Sequence, residues 1–351
     1  MTAALSLESK AVGPGQPCFV IAEVGVNHNG DMDLALRMID AAADAGVDAI
    51  KFQTFKAEEF VNSPDEVYEY ISQGQAVRES MLAMFRRLEL PHAEHARLFA
   101  HARARGLVPF STPGDGLAVE LLDRLEVAAY KLGSDDFTYL PFLADLAARG
   151  KPLIISTGMA DTDDIDRAVS TIRSATSQRF VLLHCVSEYP APDTSVNLRK
   201  MAALRERTGE WVGFSDHSEG ITAALGAVAL GACVIEKHFT LDRNLPGPDH
   251  RFSADPVELT ALVREVRRLE AQMGISELVP TPAEIEMRKL ARRSIVAARD
   301  LPAGTVLAPT DLAFRRPGTG LMPYQADLLL GRRLLADSPA GTLLGPDRVD
   351  A

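Results

Sequence analysis

Eight times between Cys18 and Met273 the chain runs through a short apolar stretch and then a longer one with apolar positions at helical spacing. The short stretches are CFVIAEV, VDAIKF, GLVPF, AAYKL, KPLIIS, FVLLHC, WVGFS and CVIEKHF. Rich in Val, Ile and Leu, they suit strands of a parallel sheet covered on both faces. Their helical partners include LALRMIDAAADA, stopped by Gly46, and segments around Leu117–Leu125, Leu140–Ala148, Asp161–Arg173, Asn197–Arg207, Gly220–Leu230 and Pro256–Met273. Between the second strand and Arg105 the chain reads as a long loop with helical stretches. Eight strand–helix units in roughly 275 residues fit an α/β fold, the (β/α)8 TIM barrel. An open doubly wound sheet is the alternative, but no glycine fingerprint for a dinucleotide follows the first strand.

After Gly274 the texture changes. ISELVPTPAEIEMRKLARR is polar, carries two prolines and a short helical stretch, and reads as a linker. RSIVAARDLPAGTVL and LLGRRLLADSPAGTLLGPDRV then offer short β-like runs broken by Pro-Ala-Gly turns. The expected organisation is a catalytic barrel over 1–275, a linker over 276–292 and a small β-rich domain over 293–351. The last is too small for a large core of its own and is expected to dock against something.

A net charge of −11 works against nucleic-acid or anionic-membrane partners, which call for a basic stripe. It does not exclude an anionic small molecule, because a phosphate site needs only a few local donors. No apolar run approaches the roughly 20 residues of a membrane helix. The start, MTAALSLESK, has neither the basic nor the apolar part of a secretory leader. Cys18, Cys185 and Cys233 are far apart and form no CxxC pair, which points to reduced thiols in a cytoplasm.

A (β/α)8 barrel does its chemistry at the C-terminal ends of its strands. Those ends carry Glu23, Asn27 and His28; Lys51 and Gln53; Ser111 and Thr112; Lys131, Ser134, Asp135 and Asp136; Ser156 and Thr157; His184, Ser187, Glu188 and Tyr189; Ser215, Asp216 and His217; Glu236, Lys237 and His238. Polar chemistry placed so regularly on one rim argues for an enzyme. His217 and His238 end neighbouring strands and are placed to share one divalent metal, although each alone could be a hydrogen-bonded core histidine. Lys51 and Lys131 suit a phosphate or carboxylate. Pairing with Glu23 or Asp136, or a Schiff-base role, are the alternatives for these lysines. Ser134 and Ser215 are candidate donors to phosphate oxygens, with turn formation as the plain reading. Glu23 and Asp136 are candidates for proton transfer or for gripping sugar hydroxyls. His92, His95 and His101 lie on a helical stretch with no strand-end context and are expected at the surface.

The ordered stretches IAEVGVNHNGD, IKFQTFKAEE, FSTPGD, KLGSDDFTYLPFL, GKPLIISTGMA, LLHCVSEYPAP, GFSDHSEGI and IEKHFTLDRNLPGPDH resemble the sialic acid synthase family. That family includes N-acetylneuraminate, legionaminate and pseudaminate synthases. RRSIVAARDLPAGTVL and LAFRRPGTGL are similar to its antifreeze-like (SAF) domain, so the resemblance spans essentially the whole chain. It implies that phosphoenolpyruvate condenses with an N-acetylmannosamine-like sugar to a nine-carbon acid, with C–O cleavage and phosphate release. Lys51, Thr112, Lys131, Ser134, Ser187 and Ser215 would then hold phosphoenolpyruvate, and Gln53 would be a further substrate-binding residue. Glu23, Asp136, Tyr189 and Asp249 would face the sugar. His217 and His238 would hold Mn2+, or Mg2+ or Co2+ in its place. Arg316 would reach the site of a partner subunit in a domain-swapped homodimer.

Three positions depart from the common family pattern. Asp136 stands where many relatives carry Glu, and Ser187 where N-acetylneuraminate synthases often carry Asn. The stretch SQGQAVRES lacks the asparagine that contacts the acyl group, with Gln75 the nearest substitute. All three bear on the sugar end. The expected product is N-acetylneuraminate, with legionaminate, pseudaminate or another nonulosonate as the alternative. A Schiff-base aldolase or a non-catalytic sugar-phosphate binder are the readings from other classes.

Overall fold

The computed structural model describes residues 4–350, in two compact units, Met1–Gly274 and Ile275–Ala351. The first unit opens with an antiparallel hairpin of β1 (Leu5–Leu7) and β2 (Lys10–Val12). Strands β3 (Phe19–Gly25) and β4 (Ala49–Thr54) follow, then a second hairpin of β5 (Val67–Ser72) and β6 (Gln75–Ser80). Next come β7 (Val108–Pro113), β8 (Tyr130–Leu132), β9 (Leu153–Ser156), β10 (Val181–Cys185), β11 (Trp211–Asp216) and β12 (Val234–His238). Eight of these strands form one sheet in the order β7-β4-β3-β12-β11-β10-β9-β8. Every pairing in it is parallel. That order is chain order around a barrel, with the two ends of the row, β7 and β8, consecutive in the chain. The ladder is continuous everywhere except at that β7–β8 seam.

Local signals set where the outer helices begin and end. The Asp31 carboxylate accepts from the N–H groups of Asp33 and Leu34 and caps Met32–Ala45, which Gly46 ends in the left-handed region. Asp161 and Asp164 form a capping box on Thr162–Ala175. Asp255 caps Pro256–Met273, with proline at the position that has no N–H to satisfy.

The pleat then sorts side chains two ways. Val20, Ala22 and Val24 of β3 join the large apolar layer shared with the helices. Phe19 and Ile21 instead join Ala49, Phe110, Ile154, Leu183 and Val234 in a separate interior layer. Leu7 and Val12 of the first hairpin belong to that interior layer and are fully buried, so the hairpin plugs the N-terminal end of the barrel.

Both hairpins are absent from the sequence expectation, which placed a loop where β5 and β6 pair over their full length. The surface reading of His95 is also corrected. His95 is buried, with Nε2 3.0 Å from Thr54 Oγ1 and Nδ1 3.1 Å from the Pro91 carbonyl. Burial holds its pKa down at about 4, so a neutral imidazole ties the helix His95–Ala104 to β4. His92 and His101 are half-buried.

The second unit pairs β13 (Ser294–Ala297) with β14 (Leu312–Arg315) around a small core that includes Ile295, Leu301, Leu307, Leu334 and Leu344. The segment read as a linker contains the helix Pro282–Ala291, closed at its start by a Thr281–Glu284 capping box. That helix buries none of its residues, and Leu290 is two-thirds exposed. No helix among the described residues is long and apolar enough to cross a membrane.

Candidate active site

Above the interior apolar layer, the alternation of the pleat brings polar residues into the mouth of the barrel. β3 contributes Glu23, β4 Lys51, β7 Thr112, β8 Lys131, β9 Ser156, β11 Ser215 and β12 Glu236. Ladder register places Glu23 beside both Lys51 and His238, and Ser215 beside Glu236. A bulge between Glu23 and Gly25 turns the end of β3. Gly25 takes φ +54 there, and a Cβ on it would come within 3.1 Å of the Glu23 carboxylate.

Four buried ionisable groups form a row. Lys51 Nζ lies 2.9 Å from Glu23 Oε1 and 3.7 Å from Glu236 Oε2. Lys131 Nζ lies 3.5 Å from Glu236 Oε1. Lys51 also donates to Thr112 Oγ1 at 2.9 Å, and Lys131 to Ser156 Oγ at 2.8 Å and the Leu132 carbonyl at 2.7 Å. The Ser215 hydroxyl donates to Glu236 at 2.9 Å.

The four groups do not respond to burial alike. Burial pushes the Glu23 carboxyl up to about 8, against the pull of Lys51. Burial also opposes the charge of Lys51, but Glu23 and Glu236 outweigh it and raise its pKa. Lys131 is lowered, chiefly by burial. Glu236 is held below its ordinary range because Lys131 and Lys51, with the Ser215 hydroxyl, outweigh its own desolvation. Near neutrality the row thus carries a proton on Glu23 and a charge on Glu236, which leaves it receptive to an anion.

The histidine pair stands beside this row. The imidazole centroids of His217 and His238 are 5.3 Å apart. His217 Nδ1 donates to the Val186 carbonyl at 2.7 Å, which leaves Nε2 with a free lone pair. Burial lowers both pKa values, that of His217 to about 4, so both rings are neutral, the form that ligates metal. Tyr189 lies over His217 with centroids 4.2 Å apart, and Phe252 meets His238 edge to face at 5.1 Å. Asp249 Oδ2 is 3.9 Å from His238 Nδ1, and burial raises the Asp249 carboxyl to about 6. Among the described residues no group of three or more His, Cys, Asp or Glu gathers closely enough to hold an ion unaided. Two imidazoles would therefore share an ion with oxygens of substrate or water.

Glu23 Oε2, Glu236 Oε2, His238 Nδ1 and Ser187 Oγ are buried without a hydrogen-bond partner. Orphans of this kind are few in folded proteins, and this concentration at one rim marks where a polar ligand belongs. Ser134 and Ser187 meet around Gly158, whose N–H donates to Ser134 Oγ at 2.9 Å. A Cβ on Gly158 would stand 2.4 Å from Ser187 Oγ and 2.6 Å from Ser134 Oγ, so only glycine permits the approach. Gln53 is half-buried one pleat beyond Lys51. Asp136 lies in the loop after β8, its carboxyl raised to about 6 by burial and by Asp135. Arg316 belongs to the second unit, exposed just after β14. Gln75 pairs with Ser72 at the tip of the second hairpin and is exposed.

Two residues of the barrel mouth had no assigned role in the sequence. Glu236 and Ser156 stood among the strand ends, but only the pleat shows that Glu236, and not its neighbour Lys237, enters the row. The buried row also carries a stability prediction. Lys131→Met is expected to destabilise the first unit by about 3–5 kcal/mol in urea, because it removes the nearer of the two lysines that offset the buried charge of Glu236. Adding Glu236→Gln is expected to recover much of that loss, and a purely additive double variant would show that the two groups are not coupled.

The profile of the NeuB family matches residues 38–277, and that of the SAF domain matches residues 292–350. An N,N'-diacetyllegionaminic acid synthase of Legionella pneumophila is 41% identical over 346 residues, 97% of each chain. A second, from Campylobacter jejuni, is 40% identical over 89% of this chain and 94% of its own. Among solved structures, the N-acetylneuraminic acid synthetase of Leptospira borgpetersenii superposes with a TM-score of 0.74 at 36% identity, covering 82% of this chain and 95% of its own. The chain belongs to the NeuB family, the nonulosonate synthases that condense phosphoenolpyruvate with an amino sugar, and it carries the family's SAF domain.

Proposed function

We propose that this chain joins phosphoenolpyruvate to an aldehyde sugar bearing two acetamido groups, giving a nine-carbon acid of the N,N'-diacetyllegionaminate type. The observation that carries this reading is the 41% and 40% identity to two legionaminic acid synthases over nearly the full chain. An N-acetylmannosamine acceptor, the sequence expectation, is the second reading, favoured by the 36% identity to an N-acetylneuraminic acid synthetase.

In this reading Lys51 and Lys131, with Thr112, Ser134, Ser156, Ser187 and Ser215, bind the phosphate and carboxylate in a pocket closed to bulk water. Gln53 borders that end. C3 of phosphoenolpyruvate attacks the aldehyde carbon, water adds at C2, and phosphate leaves by C–O cleavage. Glu23 holds a proton beside the developing charge, and Glu236 keeps both lysines charged and aimed. Asp136, Tyr189 and Asp249 grip the sugar. His217 and His238 would hold Mn2+, or Mg2+ or Co2+, which supplies Lewis-acid polarisation of the aldehyde oxygen. The orphaned Nδ1 of His238 and the free Nε2 of His217 fit that role. Arg316 acts in trans, from the partner subunit of a domain-swapped homodimer. A Schiff-base aldolase would need a neutral lysine, whereas Lys51, facing the charge of Glu236, has its pKa raised.

Phosphate release from phosphoenolpyruvate with Mn2+ is expected to depend on a 2,4-diacetamido hexose and to stop with EDTA. Preference for N-acetylmannosamine would establish the second reading, and release with neither sugar would overturn both. As pH rises through about 8, kcat/KM is expected to fall as Glu23 loses its proton, and Glu23→Gln should flatten that limb. An unchanged limb in the variant would remove Glu23 from proton handling. Mixing inactive Arg316→Ala with inactive Lys131→Met protein is expected to restore activity, since one mixed site then holds both intact groups. No restoration after subunit exchange would place Arg316 outside the partner's site.

A further inference from the structure

Asp216 and Lys237 are paired in register on β11 and β12, one residue before His217 and one before His238. Lys237 Nζ donates to Asp216 Oδ2 at 2.9 Å, and both side chains are essentially sealed from water, at 2% and 0% exposed. The other Asp216 oxygen accepts from the Ser218 backbone N–H at 2.9 Å and from the Ser218 hydroxyl at 2.6 Å. Lys237 closes the ring by donating to the Ser218 carbonyl at 2.8 Å. By the alternation of the pleat, this ring faces away from the barrel mouth that His217 and His238 enter.

Such a pair is a poor source of stability, because desolvating both ions cancels most of their attraction, and apolar residues of similar volume would serve at least as well. What it does supply is geometry. It locks the last residue of β11 to β12 through one ion pair, and through Ser218 it fixes the turn that follows His217. His217 is pinned a second time by its own Nδ1 bond to Val186 and by its carbonyl accepting from the Ala191 N–H at 2.9 Å. The two imidazoles are therefore spaced by a rigid support behind the sheet rather than by contact with each other.

We propose that Asp216, Lys237 and Ser218 are positioning residues that set the spacing of His217 and His238 and so the affinity of the site for a divalent metal. The inference rests on the metal reading above. No one of the three touches substrate or metal. Their effect passes through the backbone of the strand ends, where a shift of a few tenths of an ångström is enough to spoil a two-imidazole site.

The test compares Asp216→Leu/Lys237→Met, which removes both charges together, with Lys237→Arg, which keeps the cation. Mn2+ binding to each metal-free protein is followed by electron paramagnetic resonance of free Mn2+, and thermal unfolding is recorded in EDTA. The double variant is expected to keep its melting temperature within a few degrees and to bind Mn2+ about tenfold or more weakly. Lys237→Arg should stay within about threefold of the parent. Parental Mn2+ affinity in a folded double variant would overturn the proposal and assign the ring to stability alone. If the double variant does not fold, Ser218→Ala decides: weaker binding at unchanged melting temperature supports the proposal, and unchanged binding overturns it. Failure of the metal reading is distinct, because then the parent would bind no Mn2+ and His217→Ala would change nothing.

Discussion

Two lysines and two glutamates can share a space closed to water only if each lysine is held at contact distance from a carboxyl group that offsets its charge. The row from Glu23 through Lys51 and Glu236 to Lys131 meets that condition, with separations of 2.9, 3.7 and 3.5 Å. Its geometry comes from the ladder. β3, β4 and β12 are adjacent and in register, and β8 brings Lys131 from across the barrel mouth. A slip of one residue in any of these strands would turn a charge outward into the apolar layer under the helices. The hydrogen-bonded sheet, its interior apolar layer and the hairpin that plugs its far end can thus be understood as the support this row requires.

The same period of two divides labour between the faces of each strand. On β4, Lys51 and Gln53 face the mouth, while Thr54 hydrogen-bonds to His95 and to Ser111 on the outer side. On β11 and β12, Ser215, His217, Glu236 and His238 face the mouth, and Asp216 and Lys237 form their closed ring behind. Reactivity and support are interleaved in sequence but separated in space. Adjacent polar residues at a strand end therefore have opposite fates.

That separation accounts for what was and was not legible. The eight strand–helix units could be read because each strand is an apolar run and several helices carry their own caps, which are local signals. The hairpin of β5 and β6 escaped notice because its strands, VYEYIS and QAVRES, are mostly exposed and carry charged residues, so no apolar run marks them. His95 reads as a surface residue because it lies on a helical stretch with no strand end beside it. Its burial depends on Thr54, 41 residues away in sequence. Glu236 stood in view at the end of β12 without a role, since a run of Glu-Lys-His does not say which of the three points inward.

From the amino-acid sequence alone came the barrel class, the terminal small unit, the rim on which polar strand ends gather and the family to which the chain belongs. These depend on local apolar periodicity, on capping residues and on ordered motifs, all of which are written along the chain. Only the tertiary structure decided which strand-end residues meet and in which protonation state. Pairing across the ladder, exclusion of water and the approach of one loop to another at Gly158 involve residues distant in sequence. Burial, which raises Glu23 and lowers His217, exists only once the barrel has closed around them.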